Sequence, residues 1–442
     1  MREPDATPGA TGSIPARPWL RRLWRLYALA SLIPLTIFVR LLVGPDAQEP
    51  FDPLMAVDFG AFYAAATMVR DGDVRHLGEM EAQRAAQRRV QEDENTGWRW
   101  YNAFPYPPVT SLLTAPLAAL PLRTAFWVWA ALGLGAATVA SWLLARAIVP
   151  EMPLAATLLL VSFEPIWDVA WWGQIDSLML LPVAAGAVVL RRSSGEDTAT
   201  RRRRDLTAGL LFGVLALKPI FVPLPLLVLL WGRPRAALGM VLSGLGLAIA
   251  SVALVGFGGI ADYVDLARFY QAFSGSPAIV EWRMYNLRGM AIRLGWGWSE
   301  GLQLAVVLTA SAILAVMTIV VSAHAIRQDR GADLAAGAVG IATILTAYHV
   351  HVQSLVYLII PIAFWLRRCL RATSWVHSMF WAAPVVALHG GAALLRPQQP
   401  SPAASETRIE TLITVSLVAT LVVLIALLLV RMRGMAPVVS RR

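Results

Sequence analysis

Apolar residues in this chain come in long blocks separated by short polar connections. Tyr27–Val43, Thr124–Ile148, Ala236–Phe257, Leu302–Ala323 and Leu412–Val430 stand out. Each is near the length a helix needs to cross a bilayer core, roughly 20 residues. Leu206–Gly232 is a further long apolar block; shorter ones cover Leu334–Tyr348, Leu355–Leu366 and Phe380–Leu395, and two flank a polar patch holding Glu164, Asp168, Gln174 and Asp176. The pattern predicts an all-α polytopic membrane protein. Two longer polar stretches interrupt it, Gly44–Ala103 and Gly258–Ser299. Within the first, "LGEMEAQRAAQRRVQEDENTGWRW" has helical spacing and mixed charge. That predicts an amphipathic helix on the membrane or over a site. No internal repeat is visible.

The ends read as tails around one membrane domain: 1–22 polar and Pro/Gly-rich, 23–431 multi-span, 432–442 basic. The first apolar block lacks the small-residue cleavage site of a signal peptide and is read as an uncleaved span. Arginine bias places Arg21, Arg22 and Arg25, and the Arg191–Asp205 loop, in the cytoplasm. The crossings between them must then be even in number, yet five candidate pieces lie there. One is expected to be re-entrant or broken: the piece with Pro107, Pro108, Pro116 and Pro121, or the short one before Glu164. Irregular backbone at membrane depth is tolerated only where it lines a cavity.

Composition narrows the class. Of 442 residues, 57% are hydrophobic and 15% charged. That is too little charge to cover a soluble protein of this size. The net charge of +10 comes from arginine in loops. No aromatic-basic module accompanies it, so no nucleic-acid partner is expected. Cys369 is the only cysteine, which excludes an internal disulfide and offers no metal or redox site. No cofactor is expected.

Ionisable groups among apolar residues cost ~2.5–3.5 kcal/mol each on insertion scales and mark function by default. Lys218, the only lysine, sits in "LALKPIF". It is a point charge for an anion such as phosphate, or a side chain reaching for the interface. "TAYHVHVQS" sets His349, His351 and Gln353 at alternate positions beside an apolar block, as ligands of an anionic head group or as interfacial residues. Two histidines without an acidic or thiol partner argue poorly for zinc. "WWGQIDS" is a polar turn closing a helix pair, or brings Gln174 and Asp176 into a pocket. "NLRG" offers Asn286 and Arg288. In "AVDFGAFYAAATMVRDG", Asp58 suits a helix N-cap and a general base equally, and the residues alone leave both open.

Several of these features recur in a known order: a carboxylate soon after the first span, "FPYPP" with an apolar run ending in Pro, a "GQ" turn, "GLLFGVLALKP", and a histidine segment near "AYH". From Asp58 to Pro361 the chain resembles the family 87 glycosyltransferases, which include polyprenol-phosphate-mannose-dependent mannosyltransferases. It departs at Ala347 and Tyr348, where relatives often carry Ser-Pro. The resemblance implies a C-type membrane glycosyltransferase helix bundle with extracytoplasmic loop helices. It implies a polyprenyl-phosphate-linked sugar donor, mannose or another hexose, and a lipid or glycan acceptor. It also implies inversion from a β-linked donor to an α-linked product, and a place in the plasma (inner) membrane.

Asp58 would then be the general base, worth typically ~10²–10⁴-fold because an acceptor hydroxyl is a poor nucleophile at neutral pH. Lys218, His349, His351 and Arg288 would hold the donor phosphate, whose charge grows as it leaves. Tyr106, Gln174, Asp176, Asn286 and Gln353 are candidates for the substrate pocket. A transporter or flippase of a lipid-linked saccharide is the alternative; many such folds show repeated halves.

Overall fold

The computed structural model describes residues 18–33, 36, 57–94, 101–191, 197–272, 281–295, 297–328, 331–372, 374–392 and 404–433. All regular elements among them are helical. The predicted first span is described only as far as residue 33 and at Thr36, and most of both tails lies outside the described residues.

Long and half-length helices alternate. Five helices are long and apolar enough to cross a membrane: Leu122–Ile148, Pro234–Arg268, Glu300–Arg327, Val352–Arg371 and Glu410–Val430. Pro153–Val161 and Glu164–Trp172, bent by 47°, make a sixth if taken as one span. Asp176–Leu190 and Ala332–Thr346 have 15 residues each, and Leu122–Ile148 has 27. The shorter two therefore rise only about 22 Å, against about 40 Å for the long one.

Arginine contacts gather one set of helix ends. Arg191 donates to the Ala147 carbonyl and Arg204 to the Arg191 carbonyl. Arg233 pairs with Asp205 at 3.1 Å, Arg368 with Asp333 at 2.5 Å and Arg371 with Glu151 at 2.6 Å. Arg327 donates to the Trp231 carbonyl at 2.5 Å. Each half-length helix has one end at this arginine end and the other inside the bundle. Trp129 donates to the Gly173 carbonyl at 2.9 Å, and Gly133 faces Ser177. Asp176 therefore lies about 10–17 Å inside the Leu122 end of the long helix.

Lys218 reaches the same level because of its neighbour. A residue before proline is pushed out of the α region. Ahead of Pro219, Lys218 takes φ −126°, ψ 82°. It separates helix Thr198–Phe212, with its 3-10 extension Gly213–Leu217, from Pro219–Phe221 and helix Pro223–Gly232. The lysine thus tops a hairpin whose legs both return to the arginine end. The first leg packs closely on helix Pro234–Ala272: a Cβ on Gly209 would lie 1.9 Å from the Ala236 carbonyl oxygen.

The Pro-rich piece turns back. It breaks into 3-10 helix Pro108–Thr110, one α-turn Ser111–Thr114 and 3-10 helix Ala115–Ala119. Helix Val57–Arg70 runs beside it: Tyr63 donates to the Leu120 carbonyl at 2.7 Å and Arg70 to the Ala118 carbonyl at 2.7 Å. The piece before Glu164, Pro153–Val161, continues after its 47° bend into Glu164–Trp172. The amphipathic helix Met80–Asp93 lies over the following segment. Its buried Gln87 accepts from the Asn102 N–H at 3.0 Å, and Gln83 accepts from the Phe104 N–H at 2.9 Å and the Tyr101 hydroxyl at 2.8 Å.

Candidate active site

Above the half-length helices, four elements meet around Asp58. It is the second residue of helix Val57–Arg70, and both its oxygens are taken by side chains. Asn102 Nδ2 donates to Oδ1 at 2.8 Å and Gln174 Nε2 to Oδ2 at 2.6 Å. Among the described residues no backbone N–H donates to it. The Tyr106 hydroxyl donates to Gln174 Oε1 at 2.5 Å, which turns the amide nitrogen toward Asp58. Among the described residues the carboxylate is therefore held by two neutral donors and has no bonded cation. Burial raises its pKa; the bonds from Gln174 and Asn102 and the charge of Lys218 oppose that, and Asp176 adds to it.

Gln174 is in place because helix Glu164–Trp172 stops at Gly173 with φ +71°, a left-handed cap that favours glycine. A Cβ there would sit 2.4 Å from Phe59 Cβ. Gly173→Ala is expected to cost upward of ~1 kcal/mol and to lower the melting temperature in detergent. An unchanged melting temperature would mean that the turn relaxes freely.

Lys218 Nζ pairs with Asp176 Oδ2 at 2.6 Å and stands 5.7 Å from the Tyr106 ring centre. The Asp176 side chain is fully buried and that of Lys218 is 14% exposed. Tyr357 stands beside Asp176; its hydroxyl and Asp176 Oδ1 are buried neighbours, each short of a formed hydrogen bond.

The histidine segment is clamped from one side. The Tyr285 N–H donates to the Val350 carbonyl at 2.9 Å, and buried Asn286 donates to the Ala347 and Tyr348 carbonyls at 2.7 and 3.2 Å. Asn286 also accepts from the Gly289 N–H, capping helix Leu287–Leu294. Arg288 pairs with Glu281 and lies over the Tyr348 ring, 4.1 Å from its centre. Tyr348, the departure from the Ser-Pro pattern, is thus the platform for Arg288. His349 and His351 meet edge to face at 4.5 Å. Burial lowers the His351 pKa to about 4, aided by Lys218 and opposed by a bond to the Arg283 backbone. Burial, then His351, Lys218 and Arg288, lowers that of His349. Both rings are neutral at neutral pH and would act on an anion as hydrogen-bond donors. Half-buried Gln353 follows in the 3-10 helix Val352–Leu358.

Asp58, Tyr106, Gln174, Asp176, Lys218 and the two histidines thus share one electrostatic neighbourhood, whereas Asn286 shapes it from behind. Asp168 sits apart from Asp58, facing Glu164 one helical turn away. Sequence reasoning missed Asn102, a lone amide just before "AFPYPP", and Tyr357, hidden in an apolar block. Among the described residues no group of three His, Cys, Asp or Glu side chains could hold a metal. The arrangement brings together a carboxylate that can accept a proton, a buried cation and neutral donors.

No match to this chain is found among curated proteins or among solved structures. The sequence profile of glycosyltransferase family 87 matches residues 104–350, more than half the chain, taking in Tyr106, Gln174, Asp176, Lys218, Arg288 and His349 and leaving Asp58 outside. The chain belongs to glycosyltransferase family 87 and is a multi-pass membrane glycosyltransferase.

Proposed function

We propose that this protein transfers a sugar, mannose or another hexose, from a polyprenyl-phosphate donor to a lipid or glycan acceptor at the end of the bundle opposite the arginines. The observation that carries this reading is the Asp58 carboxylate, held by Asn102 and Gln174 beside the Lys218–Asp176 pair. The acceptor oxygen attacks the anomeric carbon as the bond to the phosphate oxygen breaks. Asp58 takes the hydroxyl proton, and the electron pair of the broken bond goes to the phosphate. Lys218, with ring N–H groups of His349 and His351, stabilises that charge. One displacement with one base inverts the anomeric centre. Arginine enrichment at the other end supports an extracytoplasmic site.

The test is sugar transfer by purified protein in detergent, with polyprenyl-phosphate sugars as donors and product linkage read by glycosidase digestion. Movement of labelled donor across liposomes without a new glycosidic bond would support a flippase instead.

Two further outcomes are expected. The base works only when deprotonated and its pKa is raised, so kcat/KM should be full at high pH and fall as pH drops through a midpoint above the usual carboxylate range. A pH profile flat through the acid range would remove the base. In a Cys369→Ser background, Ser299→Cys should react with an impermeant thiol reagent on intact cells, and Arg202→Cys only after permeabilisation; both positions are exposed. The reverse pattern would invert the topology.

A further inference from the structure

A cavity lies on the far side of the Lys218–Asp176 level from Asp58. Its volume is about 550 Å³. That falls within the range of small-molecule sites, roughly 300–1,000 Å³. It begins at the arginine end and runs up between helices Asp176–Leu190, Pro223–Gly232, Ala332–Thr346 and Ile359–Arg371. Its inner end is closed by Phe221 and Tyr357, under Asp176, and its walls are apolar, among them Val183, Val228, Ala336 and Val339. Water is a poor filler for such walls, because each molecule needs two to four polar partners.

The mouth has a different chemistry. Arg191, Arg233, Arg367, Arg368 and Arg371 line it, against one acid, Asp333. Arg368, Arg371 and Arg233 are matched by Asp333, Glu151 and Asp205. Arg367 makes no ion pair among the described residues, with Glu151 and Asp333 acting on its charge from further off, and the Arg191 side chain donates to the Ala147 carbonyl and feels the charge of Asp333. Helix Ala332–Thr346 opens on the same mouth through Gly331 and Ala332, with no side chain capping its first turn. Its N-terminal dipole adds partial positive charge, offset by Asp333 in the same first turn.

We propose that this cavity binds one anionic phospholipid from the leaflet at the arginine end. Its phosphate sits at Arg367 and Arg191 and one acyl chain fills the interior up to Phe221 and Tyr357. A basic mouth between membrane helices recognises the head group, and the apolar shaft takes a chain that no other described element covers. The phospholipid supports from below the hairpin that carries Lys218, and takes no part in transfer.

The experiment is native mass spectrometry of the full chain released from nanodiscs of phosphatidylcholine with a minor share of phosphatidylglycerol. Wild type should retain one phosphatidylglycerol in preference to phosphatidylcholine. Arg367→Gln should lower that retention about fivefold, and adding Arg191→Gln should lower it about fivefold again. Ala336→Leu narrows the shaft, leaves every arginine in place, and should also abolish retention. Equal retention of both phospholipids, or retention unchanged in Ala336→Leu, would place the lipid on the outer surface and overturn the proposal. So would displacement of phosphatidylglycerol by an equal amount of polyprenyl phosphate, which would make the shaft a donor-tail path. Each outcome leaves the role of Asp58 untouched.

Discussion

Asp58→Asn is expected to fold and insert as wild type does, and to lower sugar transfer by about 10²-fold or more. The amide keeps the shape of the carboxylate but cannot take the acceptor proton. It also turns one oxygen into a donor facing the Gln174 amide nitrogen. That conflict is absorbed locally: a flip of the Gln174 amide presents its oxygen to the new donor and its nitrogen to the Tyr106 hydroxyl, which can accept. Donor affinity should stay near wild type, because the base we propose acts on the acceptor. The measurement is product formation by monodisperse Asp58→Asn protein at saturating donor. Turnover within a few-fold of wild type would strip Asp58 of its role and turn attention to Asp176 and Asp168.

Lys218→Met is expected to reduce the yield of folded protein sharply, before any question of donor binding arises. It leaves Asp176 fully buried without its 2.6 Å partner. Breaking a buried pair from one side costs ~3–5 kcal/mol. The double variant Lys218→Met/Asp176→Asn removes both charges, so it should regain most of the lost stability while donor affinity remains poor. Lys218→Arg keeps the charge but changes its reach and shape, and should recover only part of the binding. Thermal unfolding in detergent reads the first effect and donor titration the second. A Lys218→Met protein as stable as wild type would mean that the pair does not hold this level of the bundle. A double variant that binds donor normally would mean that Lys218 does not contact the phosphate.

The pairing also explains what one charge in an apolar block leaves unsaid. Lys218 is conspicuous in the sequence as the only lysine, yet its partner lies 42 residues away in another helix. The contact arises because Pro219 ends one helix and Asp176 starts another at the same depth. Asn286 and Arg288 show the same limit from the other side. They read as possible ligands, and their contacts, Asn286 with carbonyls 61 and 62 residues on and Arg288 with Glu281 and the Tyr348 ring, are not visible in the sequence.

The sequence by itself determined that this chain is a bundle of membrane helices, because apolar blocks of span length are stable only in lipid or against one another. It determined the family, because the "FPYPP", "GQ" and "LKP" pieces stand in order along the chain. It also singled out Asp58, since a carboxylate beside a membrane span is conspicuous in one dimension. Which side chains meet was decided only by tertiary packing. Gln174 reaches Asp58 across 116 residues and Asn102 across 44, through a left-handed turn at Gly173 and a helix whose glutamines grip the backbone at Asn102. The arrangement of the Pro-rich piece was likewise illegible in one dimension: its short broken turns lie along Val57–Arg70. A proline-broken apolar segment satisfies its backbone equally well by crossing beside other helices or by turning back against one, and only the neighbours it finds choose between them.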